Sequence, residues 1–289
     1  MLRLFTDTDT DITKEGAGKY GYELISMPYS IDGNTVRPYE DFETFDAHAF
    51  YNQLRSGVLP NTSAISEENY VSYFEPVFAA GDDILYVHFS AAMTATFDVM
   101  HRALEKLKEK YPGRRFYEID TLGITLMSYS IVCEIGQMYL DGKSAEEMVE
   151  WAKKGVYTWA TYFFADDLKF FHHSGRVGGL AATMGTLLGV RPIIYMDSDG
   201  KMTSIGKERG RRKAMTALID KMKEIGDEVQ AHPVYVGHAD APGLVEEFTC
   251  LLRETFGNDL KIEIVDVNPT AGSHCGPDTL GVCFHSIRR

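Results

Sequence analysis

The sequence predicts an α/β protein of two domains, with a parallel-sheet N-terminal domain over residues 1–158 and a mixed-sheet α/β C-terminal domain over residues 159–289. Three observations carry this expectation. Apolar strand signals alternate with amphipathic helical ones through the first half, as βαβ units require. The 289 residues suffice for about two domains of ordinary size. Beyond residue 158 short strands crowd together around a hairpin signal at residues 197–200, which marks antiparallel pairing.

In chain order, residues 2–6 form a short apolar strand and residues 23–31 a second, with an Asp32-Gly33 turn behind it. Amphipathic spacing predicts helices over residues 45–55 and 67–80. Residues 83–88 have the continuous apolar run of a buried parallel strand. Phe97, Met100, His101, Leu104 and Leu107 recur every three or four residues and predict a helix over residues 94–110. Residues 115–120 are a strand and residues 126–140 a helix. Ser144 with Glu147 three residues later is a capping box that opens a helix through Trp151. In the second half, strands are expected at residues 157–165, 191–196, 202–205, 233–237, 261–265 and 282–286. Helices are expected at residues 211–224 and 242–256.

Composition excludes several classes of function. Forty-two acidic against 29 basic residues leave a net charge of −13, the wrong sign for a general binder of nucleic acid or of anionic membrane surface. No stretch reaches the roughly 18–20 apolar residues of a membrane span. The start, Met1-Leu2-Arg3-Leu4-Phe5-Thr6-Asp7, turns acidic at once, unlike an export signal. Cys133, Cys250, Cys275 and Cys283 are far apart and form no C-x-x-C pair, which argues against a zinc framework and suits a reducing compartment. A soluble cytoplasmic protein without metal or cofactor is expected.

Six segments could carry chemistry. Thr6-Asp7-Thr8-Asp9-Thr10-Asp11 follows the first strand; it reads first as caps and turn bonds, because metal sites recruit ligands from several segments. Asn61-Thr62-Ser63 and the loop from Ser90 to Thr96 each combine hydroxyls with free amides before a helix, which makes an anion site for carboxylate or phosphate. Singly, Thr62 and Thr94 read equally well as N-caps; together at the ends of neighbouring strands, they favour a ligand. The Gly-rich segment from His172 to Gly179 carries Arg176 but lacks P-loop spacing, and G-x-G-x-x-G is absent throughout.

Residues 207–213 place five basic side chains in an acidic protein, with Arg209 and Lys213 expected one helical turn apart. They read as a solvated face or as a docking point for an anionic partner or phosphate. A late loop from Thr270 to Pro277 sets His274 among small residues. No Cys/His pair or G-x-S-x-G elbow supports a nucleophile, so no catalytic residue is assigned.

Taken in order, these segments resemble the DegV family of bacterial fatty-acid-binding proteins. Thr6 to Ile12 is similar to its T-D-S-T-A-D-L loop, Thr62 to Ser66 to its T-S-Q-P-S loop, and Ser90 to Thr96 to its S-S-x-L-S-G-T loop. Ser174-Gly175-Arg176 is similar to its G-G-R loop, Lys207 to Ala214 to its K-x-R-x-R-K-K-A stretch, and Gly272 to Thr279 to its G-x-H-x-G-P-G-T loop. Departures are Thr94 for serine, Ala64-Ile65 for Gln-Pro, Ala95 for glycine and Asp278 for glycine.

The resemblance implies a two-domain DegV-like fold holding one long-chain fatty acid, with Thr62, Thr94 and His274 at the carboxylate. It implies that Arg176 and Arg209 serve docking to, or phosphorylation by, a separate ATP-dependent fatty acid kinase subunit, the protein itself being non-catalytic. The acyl phosphate would then feed phospholipid synthesis. Candidate tail-lining residues are Phe163, Phe164, Phe170, Phe171, Leu180, Met184, Leu187, Leu188, Ile193 and Ile194. The competing reading is a phosphotransfer or sugar-phosphate enzyme that uses the same loops and basic cluster for a phosphorylated substrate; the missing P-loop and the unpaired His274 weigh against it.

Overall fold

The chain begins in β1 (Leu2–Asp7), whose side chains alternate between two buried faces. The computed structural model describes residues 1–176 and 189–289; Leu180, Met184, Leu187 and Leu188 lie outside them. β1 sits inside a four-stranded parallel sheet ordered β2 (Tyr22–Ile25), β1, β6 (Asp83–His88) and β7 (Phe116–Asp120). Leu4, Leu85, Val87 and Ile119 point to one side of it, and Phe5, Ile84 and Tyr86 to the other. Both faces are therefore covered, which explains why 83–88 reads as an unbroken apolar run. Helices α1 (Lys14–Tyr20), α5 (Leu126–Leu140) and α6 (Ala145–Gly155) pack on the first face. Helices α3 (Glu67–Ala79) and α4 (Thr96–Lys110) pack on the second. The capping box expected at Ser144 has both of its bonds and opens α6.

The single strand expected over residues 23–31 is two strands. Pro28, which has no amide to give a ladder, lies in the break, and the Met27 amide donates instead to the Thr8 hydroxyl at 2.9 Å. The chain then turns into a small antiparallel sheet ordered β4 (Asn34–Val36), β3 (Tyr29–Ile31) and β5 (Asn61–Thr62). Asp32 and Gly33 both adopt positive φ (50° and 80°) at its hairpin, as a two-residue primed turn demands. Helix α2 (Ala47–Arg55) lies between β4 and β5.

From residue 159 onward the strands build a six-stranded mixed sheet. Its order is β10 (Met202–Arg209), β9 (Val190–Met196), β8 (Trp159–Phe164), β13 (Leu280–His285), β11 (Val234–His238) and β12 (Ile262–Asp266). Only β11 and β12 run parallel; the other neighbours are antiparallel. Helices α8 (Arg211–Ile225) and α9 (Pro242–Phe256) cover one face. The opposite face supplies Trp159, Tyr235 and Cys283 to the core around α5, so α5 is packed between the two sheets. Short helices α7 (Lys169–His173) and α10 (Pro269–Cys275) join α2 in a separate cluster around Tyr51, Phe170 and Ala271. The architecture is the α/β class expected, with one parallel and one mixed sheet.

Two further local expectations are corrected. The segment from Thr270 expected as a loop is mostly helix, because Asn268 caps α10 through its side chain and Pro269 takes the first helical position. The strand expected to end at residue 205 runs on to Arg209. Gly210, at φ 92°, separates it from α8. Arg209 and Lys213 are therefore not one helical turn apart. Among the described residues no helix is long and apolar enough to cross a membrane.

Candidate functional site

The loop after β1 holds the other elements of the site in place through its acids. Asp7 accepts from the Asp9 amide, the Tyr86 hydroxyl and the Phe89 amide at 3.0–3.2 Å, tying this loop to the neighbouring strand β6. Asp11, at φ 59°, accepts from the amide and the side-chain nitrogen of Asn268 at 2.9 and 2.7 Å. Asn268 in turn caps α10 on the Ala271 amide at 2.9 Å. The first strand of the parallel sheet thus fixes the helix that carries His274. Glycines let that helix approach closely. A Cβ on Gly272 would meet the Tyr51 hydroxyl at 2.4 Å, and Gly276, at φ 75°, turns the chain against the ring of Phe170.

The result is a cavity open on one side. Thr62, Ser63, Thr94, Arg176 and His274 line its partly exposed rim. Its buried wall includes Met27, Phe89, Leu126, Phe171, Val267 and Ala271. Gly237 and Gly281 pair across β11 and β13 and leave room for the Leu126 side chain, which a Cβ on Gly237 would meet at 2.8 Å.

Thr62 lies on β5 and caps no helix, since Ser66 caps α3. Its hydroxyl shares a 3.0 Å hydrogen bond with His274 Nε2. Thr94 accepts from the Thr96 amide at 3.1 Å; its own O–H remains to donate. Burial, then Arg176 and His173, push the His274 imidazole down to about 3, so the ring is neutral at pH 7. Its Nδ1 is buried without a partner among the described residues. The rim therefore offers hydroxyl donors and one guanidinium, and the ring adds a hydrogen-bonding group without charge.

Four of the five residues singled out from the sequence, Thr62, Thr94, Arg176 and His274, line this one cavity. Arg209 does not; it is exposed at the end of β10. Of the described tail candidates only Phe163 and Phe171 reach the cavity. Phe164 and Ile193 lie in the core under α8 and α9, and Phe170 and Ile194 in the cluster around α7 and α10. Strand alternation explains the split at Phe163 and Phe164. Met27, Phe89, Ile124, Leu126, Met202 and Val267 line the cavity without having been singled out. They come from five separate places in the chain and look like ordinary core.

A family profile described as an uncharacterised protein of the DegV family matches residues 1–286. The chain belongs to the DegV family. It is 29% identical over 282 residues to a DegV domain-containing protein of Clostridium perfringens, covering 97% of this chain and 96% of that protein. A DegV domain-containing protein of Clostridium acetobutylicum is 25% identical over 287 residues, covering 99% and 98%. Among solved structures, a stearic acid-binding protein from Eubacterium ventriosum superposes with a TM-score of 0.86 at 21% identity, covering 98% of this chain and 97% of that one. A fatty-acid-binding DegV family protein from Thermus thermophilus gives 0.84 at 21%, covering 99% of each. The Streptococcus pneumoniae fatty acid kinase B3 protein, loaded with linoleic acid, gives 0.81 at 16%, again covering 99% of each. The DegV fold thus extends over the whole chain.

One departure from the DegV motifs has a structural reason. Asp278 stands at φ 61° where the motif has glycine. Aspartate tolerates this left-handed conformation better than most residues, and its carboxylate is held by Arg55 at 2.8 Å and Arg211 at 3.3 Å.

Proposed function

We propose that this DegV chain binds one long-chain fatty acid, with the carboxylate at Thr62, Thr94 and His274 and the acyl tail along the apolar wall. The observation that carries this reading is the polarity gradient of a single cavity, from a half-exposed hydroxyl rim to a buried apolar interior. Fatty acids bound by similarly folded proteins support it. Residues 1–158 supply most of the rim, and residues 159–289 supply His274, Arg176 and much of the wall. Burying about a dozen methylenes at ~0.8 kcal/mol each gives roughly 10 kcal/mol gross, before ordering costs. Tail burial then dominates affinity, and the rim groups offset the desolvation of the carboxylate.

In the same reading the chain performs no chemistry alone. It presents the carboxylate to a separate ATP-dependent kinase subunit, which makes the acyl phosphate. Arg176 at the rim is placed to meet the carboxylate or the new phosphate, and the exposed Arg209 to meet the partner. The fatty acid kinase B3 protein among the structural relatives supports this step. The test is displacement of a fluorescent fatty acid from delipidated protein. Oleate should displace it at 1:1 stoichiometry; a protein that takes up neither probe nor oleate contradicts the reading.

A further inference from the structure

Two oxygen atoms do not belong in a plain hydrocarbon sleeve. Asp9 is 5% exposed and Thr161 3%, and both line the cavity. Among the described residues Asp9 Oδ1 is buried without a hydrogen-bond partner, and Thr161 Oγ1 faces no stronger partner than the Cys283 thiol opposite it on β13. The neighbouring acids each have side-chain partners: Asp7 has three donors, and Asp11 Oδ1 has Asn268 while its Oδ2 has none among the described residues. No ion pair joins Asp9 to Arg176. Burial, reinforced by Asp7 and Asp11, raises the Asp9 carboxyl well above the usual range, with Arg176 pulling against it. Asp9 is thus kept towards its neutral form, in which it both donates and accepts.

Buried polar atoms left unpaired are costly and rare. Asp9 Oδ1 and Thr161 Oγ1, like His274 Nδ1 at the rim, border one cavity and leave positions that a ligand's own hydrogen-bonding group can fill. A methylene chain brings none, and a second charged group would have to leave water for a largely apolar wall. An alcohol both donates and accepts and carries no charge, so it matches a neutral carboxyl and a threonine hydroxyl together. We propose that Asp9 and Thr161 are specificity residues that hydrogen-bond a hydroxyl borne along the acyl chain, so the cavity prefers a hydroxylated long-chain acid to the plain one. This rests on the fatty acid reading above and deepens it.

The test compares stearic acid with its positional monohydroxy isomers as displacers of a fluorescent fatty acid from the delipidated full chain. At least one isomer should bind roughly ten-fold tighter than stearic acid, the scale of one well-made buried hydrogen bond. Asp9→Leu should abolish that preference while stearic acid binds as well or better, and Asp9→Asn should keep it. Thr161→Val, nearly isosteric, should reduce the preference by a smaller factor; it carries the test if Asp9→Leu does not fold, as thermal unfolding will show. A wild type that binds stearic acid as tightly as every isomer overturns the proposal, as does a preference that survives both Asp9→Leu and Thr161→Val. If stearic acid displaces the probe, the fatty acid reading stands even when this one falls; if no acid displaces it, both fall.

Discussion

The rim and the inner wall of the cavity are built by opposite rules. The rim takes its polar side chains from β5, the loop after β6, α10 and the residue after Gly175, and each keeps some exposure to solvent. The wall takes apolar atoms from α5, β8, the loop after β6 and α10, and nearly all are buried in cores that also hold the sheets together. Rim residues can therefore change with little effect on the fold, whereas wall residues serve stability and ligand affinity at once. Affinity should reside in the wall, and orientation of the head group in the rim.

The strongest way to break that contrast is to fill the interior. Met202 lines the cavity and is only half-buried, so Met202→Trp has room to fold while intruding on the tail. We expect at least a hundred-fold loss of fatty acid affinity, about 3 kcal/mol, with thermal unfolding close to wild type. Unchanged retention would place the tail elsewhere. Next in size is Arg209→Ala, which should slow acyl-phosphate formation in a reconstituted kinase assay by roughly ten-fold and leave lipid affinity unchanged. Loss of lipid binding would move Arg209 into the site.

Thr62→Val and Thr94→Ala should each weaken binding only about five-fold, near 1 kcal/mol. Rim losses equal to that of Met202→Trp, in the same lipid-exchange assay, would erase the distinction between rim and wall.

The smallest effect sharpens the comparison through pH. His274 is held at about 3, below its usual value near 6.5. Its contribution to stability is therefore present above pH 6.5 and lost as pH falls towards 3, because the unfolded chain takes the proton first. Asp7 and Asp11 have the opposite sign: burial pushes both from 3.8 to about 7, so their contribution is present below 3.8 and lost as pH rises through 7. Relative to wild type, His274→Gln should gain a few degrees in Tm as pH falls from 6.5 to 4, and Asp11→Asn should gain Tm as pH rises from 4 to 7. Thermal scans across that range check both signs.

The same contrast explains what the sequence made legible. Thr62, Thr94 and His274 could be singled out because hydroxyls and a histidine among small residues are unusual chemistry, and such loops follow strands in α/β proteins. The wall could not, since Leu126 and Val267 look like any core residue until the fold brings residues 141 positions apart to one surface. Alternation along β8 decides that Phe163 faces the cavity and Phe164 does not, a matter of register that composition does not express. Helix boundaries held best where caps were explicit, as at Ser144. They failed at Thr270, where the cap is Asn268 and its anchor is Asp11, far away in the chain. Asp9 read as one acid of a turn, and only its burial beside the cavity distinguishes it.

Native mass spectrometry of protein purified without added lipid puts the central assignment to its most direct test. The account expects a single adduct with the mass of one long-chain fatty acid, identified after denaturation and retained by Thr62→Val but absent from Met202→Trp. A chain that carries a nucleotide or phosphosugar in its place, or that loses its acyl adduct with Thr62→Val and keeps it with Met202→Trp, would contradict it.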